Sequence, residues 1–357
     1  MVKKGFEKGL KYKIVRKDGK KAIFDEKGNQ VSEWFDRIKF EGLLRGRSEY
    51  YIVERNGKEA IFDLKGNQIS DWFCYVSSVG LVRGQSKYYI AQRDGKEAIF
   101  DKEGKQVSDW FEKIEEYGLI KGKSEYYIAR RDGKEAIFDL QGNQISDWFY
   151  EIGTVGLVNG ESEYYIAKRE ARRSMLYFEE AIFDVQGNQI SDWFFEIGSD
   201  GLVRGESEYY IAKRARKVRD ELTFHFEEAI FDAKGNQISE WFGWINAKEA
   251  LRKRRKVRYY IAGRNGQKAI FDLQGNQVSD WFDEIYAKEL IQGKSDCFVA
   301  ERNDERAVFD LQGNQLLDWG RWLFIRIKER NLKWGLTLCG GGSGSENPIV
   351  ISPEIFE

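Results

Sequence analysis

Proline is nearly missing from this chain. Of 357 residues only Pro348 and Pro353 are proline, both close to the C-terminal end. The turns of everything earlier must therefore come from Asn, Asp and the 36 glycines, the residues that reach positive φ or cap a turn with a side-chain oxygen. Histidine is scarcer still: His225 stands alone, among the aromatics of Phe224-His225-Phe226, without the partners a general base or a metal ligand needs. Three cysteines, Cys74, Cys297 and Cys339, form no C-x-x-C pair, and an odd, scattered set suits a reducing cytoplasm. No apolar run approaches the roughly 18 residues that cross a membrane. Met1 to Leu10 is Lys-rich without the apolar stretch of a signal peptide. A cytoplasmic protein with no membrane partner is expected.

What is present is repetition. Ala-Ile-Phe-Asp begins at Ala22, Ala60, Ala98, Ala136, Ala181, Ala229 and Ala269, and Ala307 opens a variant with Val308. The intervals are 38, 38, 38, 45, 48, 40 and 38 residues, and a Trp follows each Ala by twelve, from Trp34 to Trp319. A period of this size marks a continuous array of one supersecondary unit, over residues 1–339, rather than separate domains.

The fourth copy shows the expected unit. Tyr126-Tyr127-Ile128-Ala129 is an aromatic and β-branched run, Asp132-Gly133 is a tight hairpin dipeptide, and Lys134 to Asp139 returns as its partner. Asp139, three residues before Gly142, can cap a turn with its carboxylate. Gln144 to Phe149 is expected as a third strand and Gly156-Leu157-Val158 as a short fourth. Four such strands fill about 35–40 residues. The fold class is all-β, a β-propeller-like array of eight four-stranded repeats, with an open superhelical β-repeat array as the alternative. Tyr12 to Asp25 opens the series, and Leu323 to Arg326 with Trp334 to Leu338 resembles a ninth hairpin.

The run Gly133-x-x-Ala-Ile137-Phe-Asp139-x-x-Gly142-x-x-Ile145-x-x-Trp148-Phe149-x-x-Ile152, followed by Gly156-Leu157, resembles the bacterial WG (KWG) β-repeat over nearly all of residues 10–338. It departs from that pattern where Glu135-Ala136 replaces the Trp-Gly dipeptide, and in lacking the proline before the aromatic. The resemblance implies a binding or scaffold role, since that family carries no common catalytic residue.

The eight Trp residues are expected to pack between neighbouring units, because every interface of an array poses the same problem; sugar stacking is the competing reading. The recurring Asp63, Asp139 and Asp272 lack the D-x-D-x-D spacing and bidentate Glu of a calcium loop, so turn capping is expected. There is no G-x-S-x-G, P-loop, G-x-G-x-x-G or metal-spaced Cys/His set. No enzyme activity, catalytic residue, metal or cofactor is expected.

The net charge of −1 hides segregation. Three runs are basic: Lys168, Arg169, Arg172, Arg173; Lys213, Arg214, Arg216, Lys217, Arg219; and Arg252, Lys253, Arg254, Arg255, Lys256, Arg258. They leave 43 basic and 58 acidic residues elsewhere. The first two are insertions in the Tyr-Tyr hairpin, and insertions in repeat arrays tend to build a binding face. With Trp244, Asn246 and Tyr286, and with Cys74, Tyr75, Ser77 and Ser78, where copies depart from their siblings, these runs form the candidate binding surface. An acidic protein partner is one reading of them, nucleic acid or another polyanion a second, and a solvated rim that balances an acidic body the third.

Gly340 to Ser345 is Gly/Ser only and reads as an engineered flexible linker; residues 346–357 hold both prolines and no copy of the repeat. The simplest account is a tethered partner-derived peptide. Ile349, Val350 and Ile351 can add as a strand to a sheet edge, Ile355 and Phe356 can fill an apolar pocket, and Glu346, Glu354 and Glu357 suit a basic rim. The leading expectation is a non-enzymatic scaffold that binds a short linear peptide of a partner protein; polyanion binding through repeats five to seven is second, and a glycan-binding, lectin-like propeller third.

Overall fold

The structure, a computed structural model, describes residues 12–44, 46–171, 178–217, 224–247, 259–287, 290, 296–320, 322–330, 333–340 and 349–351. The chain divides into two compact bodies, Met1–Phe178 with Ile182–Gln189, and Glu179–Ala181 with Ile190–Glu357. Both are built from small antiparallel sheets; among the described residues the elements other than strands are a helical turn, Glu41–Leu44, and a helical position at Leu290. No helix among the described residues is long and apolar enough to cross a membrane.

One sheet explains the rest. Tyr126–Arg131 pairs in full register with Lys134–Asp139, from Tyr126↔Asp139 to Arg131↔Lys134. The two residues between them, Asp132 at φ 51° and Gly133 at φ 71°, are the left-handed pair of a type I′ turn, whose twist matches the strands. The next turn is capped as its residues predict. Asp139 Oδ1 accepts from the Gln141 and Asn143 amides at 2.9 and 2.8 Å, and Oδ2 from Asn143 Nδ2 at 2.9 Å. Both oxygens thus serve the turn.

Two strand expectations need correction. Gln144 to Phe149 is not a continuous strand. It touches its neighbour at two isolated bridges, Phe138↔Gln144 and Glu135↔Phe149. Between them Ser146 turns inward: its Oγ accepts from Ile137 N at 2.9 Å and donates to the Asp147 carbonyl at 2.9 Å. A side chain there replaces a ladder bond, and the segment bulges. In the eighth repeat the segment is a strand, Gln315–Gly320, with register shifts against Glu305–Asp310. Gly156-Leu157-Val158 is a turn, not a strand. The short strand lies earlier, at Glu151–Ile152, pairing Ile152↔Ala167 and Glu151↔Lys168 of the following Tyr-Tyr strand. The same order recurs at Arg37–Lys39, Tyr75–Val76, Lys113–Ile114, Glu196–Ile197, Trp244–Asn246 and Glu284–Tyr286. The hairpin with nine-residue arms, Tyr209–Lys217 and Phe224–Asp232, lengthens at its turn end as the insertion predicts.

The core is made between repeats. One cluster joins Ile90, Ile99 and Phe111 of the third copy to Tyr127, Ala129, Ala136 and Phe138 of the fourth. Trp148 lies 5.9 Å from Phe138 of its own repeat and 6.4 Å from Phe111 of the preceding one. The Arg131 guanidinium lies 4.9 Å from the Phe111 ring and 5.4 Å from Trp148. The interface role expected of the tryptophans thus has contacts behind it, but the Trp residues are only half-buried. The fully buried aromatics are the Phe after Trp in most copies and the second Tyr of each Tyr-Tyr pair.

Those tyrosines, Tyr51, Tyr89, Tyr127, Tyr165, Tyr210 and Tyr260, carry phenol oxygens with no hydrogen-bond partner. For Tyr127 the Ser108 hydroxyl is a polar neighbour that eases ionisation slightly, yet it already accepts from Ile99 N and donates to the Asp109 carbonyl. The phenol is left without a partner. Burial first, then the Asp63 and Glu33 charges, pushes Tyr51 up to about 12; burial raises Tyr89, Tyr127, Tyr165, Tyr210 and Tyr260 further.

A folded-state phenol pKa above the unfolded value of 10.0 favours the native state fully below pH 10 and loses that contribution as pH rises through the folded value. Alkaline titration should therefore unfold the chain cooperatively from about pH 10 upward, with tyrosine ionisation by absorbance coinciding with loss of the β signal. Tyr127→Phe removes an unpaired oxygen and keeps the stack on Phe138. Urea unfolding should show it within about 1 kcal/mol of the parent, whereas Phe111→Ala should lose about 3–5 kcal/mol.

Candidate functional site

The expected binding surface is described only in part. Arg172, Arg173, Arg219, Arg252, Lys253, Arg254, Arg255, Lys256 and Arg258 lie outside the described residues, as do Ile355 and Phe356; Lys217 is placed by its backbone alone, opposite Phe224. Four of the described cations of these runs face carboxylates. Lys168 Nζ stands 3.0 Å from Glu151, Arg214 2.7 Å from Glu227, Arg216 3.7 Å from Glu227, and Lys213 3.4 and 3.7 Å from Glu196 and Glu228. Their charge is answered locally.

Trp244 and Tyr286 are both exposed, on equivalent short strands of the second body. Each exists where a repeat breaks a rule of its siblings. In repeats two to six the residue before Ala-Ile-Phe-Asp is Glu, and its carboxylate accepts the backbone amide of the next repeat's short strand: Val76 N to Glu59 at 2.9 Å, Ile152 N to Glu135 at 2.8 Å, Ile245 N to Glu228 at 2.8 Å. Burial raises Glu135 above the ordinary carboxylate value, against the lowering effect of that bond. Repeats seven and eight carry Lys268 and Arg306 instead. Lys268 Nζ lies 5.6 Å from the Trp244 ring and pairs with Glu284. Arg306 lies 4.9 Å from the Tyr286 ring and bonds Glu301 at 2.7 Å. Gly263 makes room for the indole, since a Cβ there would fall 2.1 Å from Trp244 Nε1. The result is a row of aromatic rings alternating with ion pairs.

Of the other departures from the repeat, Ser77 is buried and donates to Glu116 at 2.6 Å, whereas Tyr75 is exposed with Lys39 Nζ 5.1 Å from its ring. Cys74 is exposed and unpaired by a disulfide.

The tail is seated as a strand. Ile349–Ile351 pairs antiparallel with Lys333–Gly340, in the register Leu338↔Ile349, Thr337↔Val350 and Leu336↔Ile351. Lys333–Gly340 in turn pairs with Trp322–Arg330, the ninth hairpin expected from the sequence. The segment that composition sets apart occupies a sheet edge, and Gly340 belongs to the strand before it.

The first body holds a cavity that the sequence reading missed, of about 670 Å³. Its apolar surfaces come from Tyr12, Leu43, Tyr50, Leu64 and Leu81, and Arg47, Lys87 and Lys102 stand around them with Glu49 as the acid. Ser48 Oγ donates to the Leu81 carbonyl at 2.8 Å and ties the second repeat to the third at this point. Gly84, at φ 66°, lets the backbones meet: a Cβ there would lie 1.9 Å from the Arg47 carbonyl oxygen. The missed signal was a charge exchange. Lys87 stands where Glu49, Glu125, Glu163 and Glu208 stand in sibling repeats, and Lys102 where Leu64 and Leu140 do.

No protein-family model and no curated protein matches this sequence. Among solved structures, a eukaryotic initiation factor aligns at 9% identity over 86% of this chain and 95% of its own, with a TM-score of 0.32. Kluyveromyces lactis Hsv2 aligns at 8% over 90% and 97%, TM-score 0.27. The β-propeller domain of the trilobed protease from Pyrococcus furiosus aligns at 14% over 76% and 94%, TM-score 0.27. Likenesses this low carry no conclusion about fold or function.

Gly84 and Gly133 separate close approach from backbone strain. Both have positive φ, but nothing lies within 4 Å of a Cβ built on Gly133. Gly133→Ala should cost about 1–2 kcal/mol; Gly84→Ala should cost clearly more and, unlike Gly133→Ala, perturb the amide signals of residues 46–48 and 81–86 in NMR spectra.

Proposed function

We propose that this chain is a non-enzymatic interaction scaffold of the WG-repeat kind, whose repeats form a propeller-like array and which captures a short linear peptide of a partner protein by strand addition. One observation carries the reading. Ile349–Ile351, the part of the tail with the strongest β-propensity, lies in antiparallel register on the edge strand Lys333–Gly340. Strand addition takes affinity from main-chain hydrogen bonds and specificity from alternate side chains. A tether raises the local concentration of the segment to the millimolar range, so residues 346–357 stand for the partner's segment. The ring-like arrangement rests on the repeat count, and a small-angle scattering envelope distinguishes a disc from an arc.

The test frees the edge. Val350→Pro with Ile351→Pro removes an amide from the ladder whichever of the two faces it. A fluorescent peptide of residues 346–357 should bind this double variant and bind the parent at least about tenfold more weakly, because the parent's edge is occupied. Equal binding, or none to either, defeats the reading. Binding of single-stranded RNA with a steep salt dependence and no peptide affinity would favour the polyanion alternative.

A further inference from the structure

We propose that the cavity of the first body is a second recognition site, for an acidic peptide segment in which apolar side chains lie between carboxylates. The proposal rests on the peptide-binding reading above but on a different site and different contacts. Three observations converge on it.

The volume, about 670 Å³, lies in the range of pockets that enclose a few side chains. Its floor is apolar where Leu43 and Leu81 are buried beneath the half-exposed Tyr12, Tyr50 and Leu64, so an aliphatic or aromatic anchor can be desolvated there.

One charge beside the floor breaks the repeat: Lys87 stands where Glu49, Glu125, Glu163 and Glu208 stand in sibling repeats, while Arg47 adds a cation at a position that is Gln85, Lys123, Glu161 or Glu206 elsewhere. The repeat that supplies Lys87 supplies Lys102 as well. A solvated rim needs no such exchange, and the acidic body elsewhere would not attract an acidic ligand. Here Arg47, Lys87 and Lys102 stand around an apolar floor with Glu49 as the acid of the lining and Glu103 beside Lys102, an excess of positive charge that favours anions.

The cations are also held ready. Lys102 pairs with Glu103 at 3.3 Å, but both side chains are exposed and solvent screens the pair. The backbone that carries Arg47 is fixed by the Gly84 contact and by the bond from Ser48 to Leu81. A guanidinium presents a fork that matches a carboxylate, and the two ammonium groups act as point charges beside it. Glu354-Ile355-Phe356-Glu357 has this chemistry in four residues: two carboxylates flank one aliphatic and one aromatic side chain.

The probe is a labelled peptide of residues 352–357, which lacks Ile349, Val350 and Ile351 and so cannot report their strand addition. It is titrated into the full chain carrying Glu354→Gln and Glu357→Gln, so that the chain's own tail does not compete by charge. We expect saturable binding that weakens as salt rises. Adding Lys87→Glu and Lys102→Glu, both at exposed positions, should lower affinity at least about tenfold, as should a probe with both Glu replaced by Gln. The thermal transition of each variant should stay at the parent's value. No binding of the probe, or equal binding after the lysine exchange or with the Gln probe, overturns the proposal while leaving the strand-addition reading to its own test.

Discussion

A single contact, made over and over, sustains this molecule: an aromatic clasp between one repeat and the next. In the fourth repeat Phe138 lies beside Trp148, and Phe111 of the preceding repeat approaches both, at 5.1 and 6.4 Å. Tyr127 stacks on the inner side of Phe138 at 5.6 Å. Arg131 closes the outer side over Phe111 and Trp148. A three-stranded sheet of this size cannot bury its own faces. Its apolar surface is removed from water only by a neighbour, so the clasp does the work that a central core does in an ordinary domain.

The clasp limits where the chain can vary. Residues inside it recur almost unchanged, and the one exchange at the second Tyr position among the later repeats, Phe298, keeps the ring and its stack on Phe309 at 5.8 Å. Variation collects at places the clasp does not reach. The Tyr-Tyr hairpin can lengthen at its turn without disturbing the register below. The residue before Ala-Ile-Phe-Asp can change from Glu to Lys or Arg where a carboxylate, Glu284 or Glu301, answers the charge. The turn before each Tyr-Tyr strand can exchange Glu for Lys, because its backbone is held by Gly-mediated contacts rather than by that side chain. Candidate sites therefore appear at these places and differ from repeat to repeat.

Much of the local structure was legible because it depends on chemistry within a few residues. Asp132-Gly133 can make only a few turns, and Asp139 with Gly142 and Asn143 forms the capped turn its spacing implies. The segment after it was misread because the alternation of Ile145, Asp147 and Phe149 looks like a strand. What overrides the alternation is Ser146, whose hydroxyl takes the place of a backbone partner. The short strand was misplaced for a related reason: Gly156-Leu157-Val158 is apolar because neighbouring turns pack there, not because it pairs. Trp244 and Tyr286 could be singled out as departures from the repeat, and both are exposed. The exchange at Lys87 is legible in the sequence, but only packing brings Arg47, Lys87 and Lys102, drawn from two repeats, around one cavity.

By itself, then, the sequence determined the period, the hairpins, their turns and the identity of the aromatic residues that recur, all of which follow from φ preferences, side-chain capping and a spacing of two. Only the tertiary structure decided which aromatic rings are fully buried, that a serine interrupts the third segment, and that cations from successive repeats share a cavity floored by Leu43 and Leu81. The serine acts within its own repeat, on an amide nine residues away; the buried rings and the shared cavity depend on contacts between repeats, which exist only once the copies are packed together.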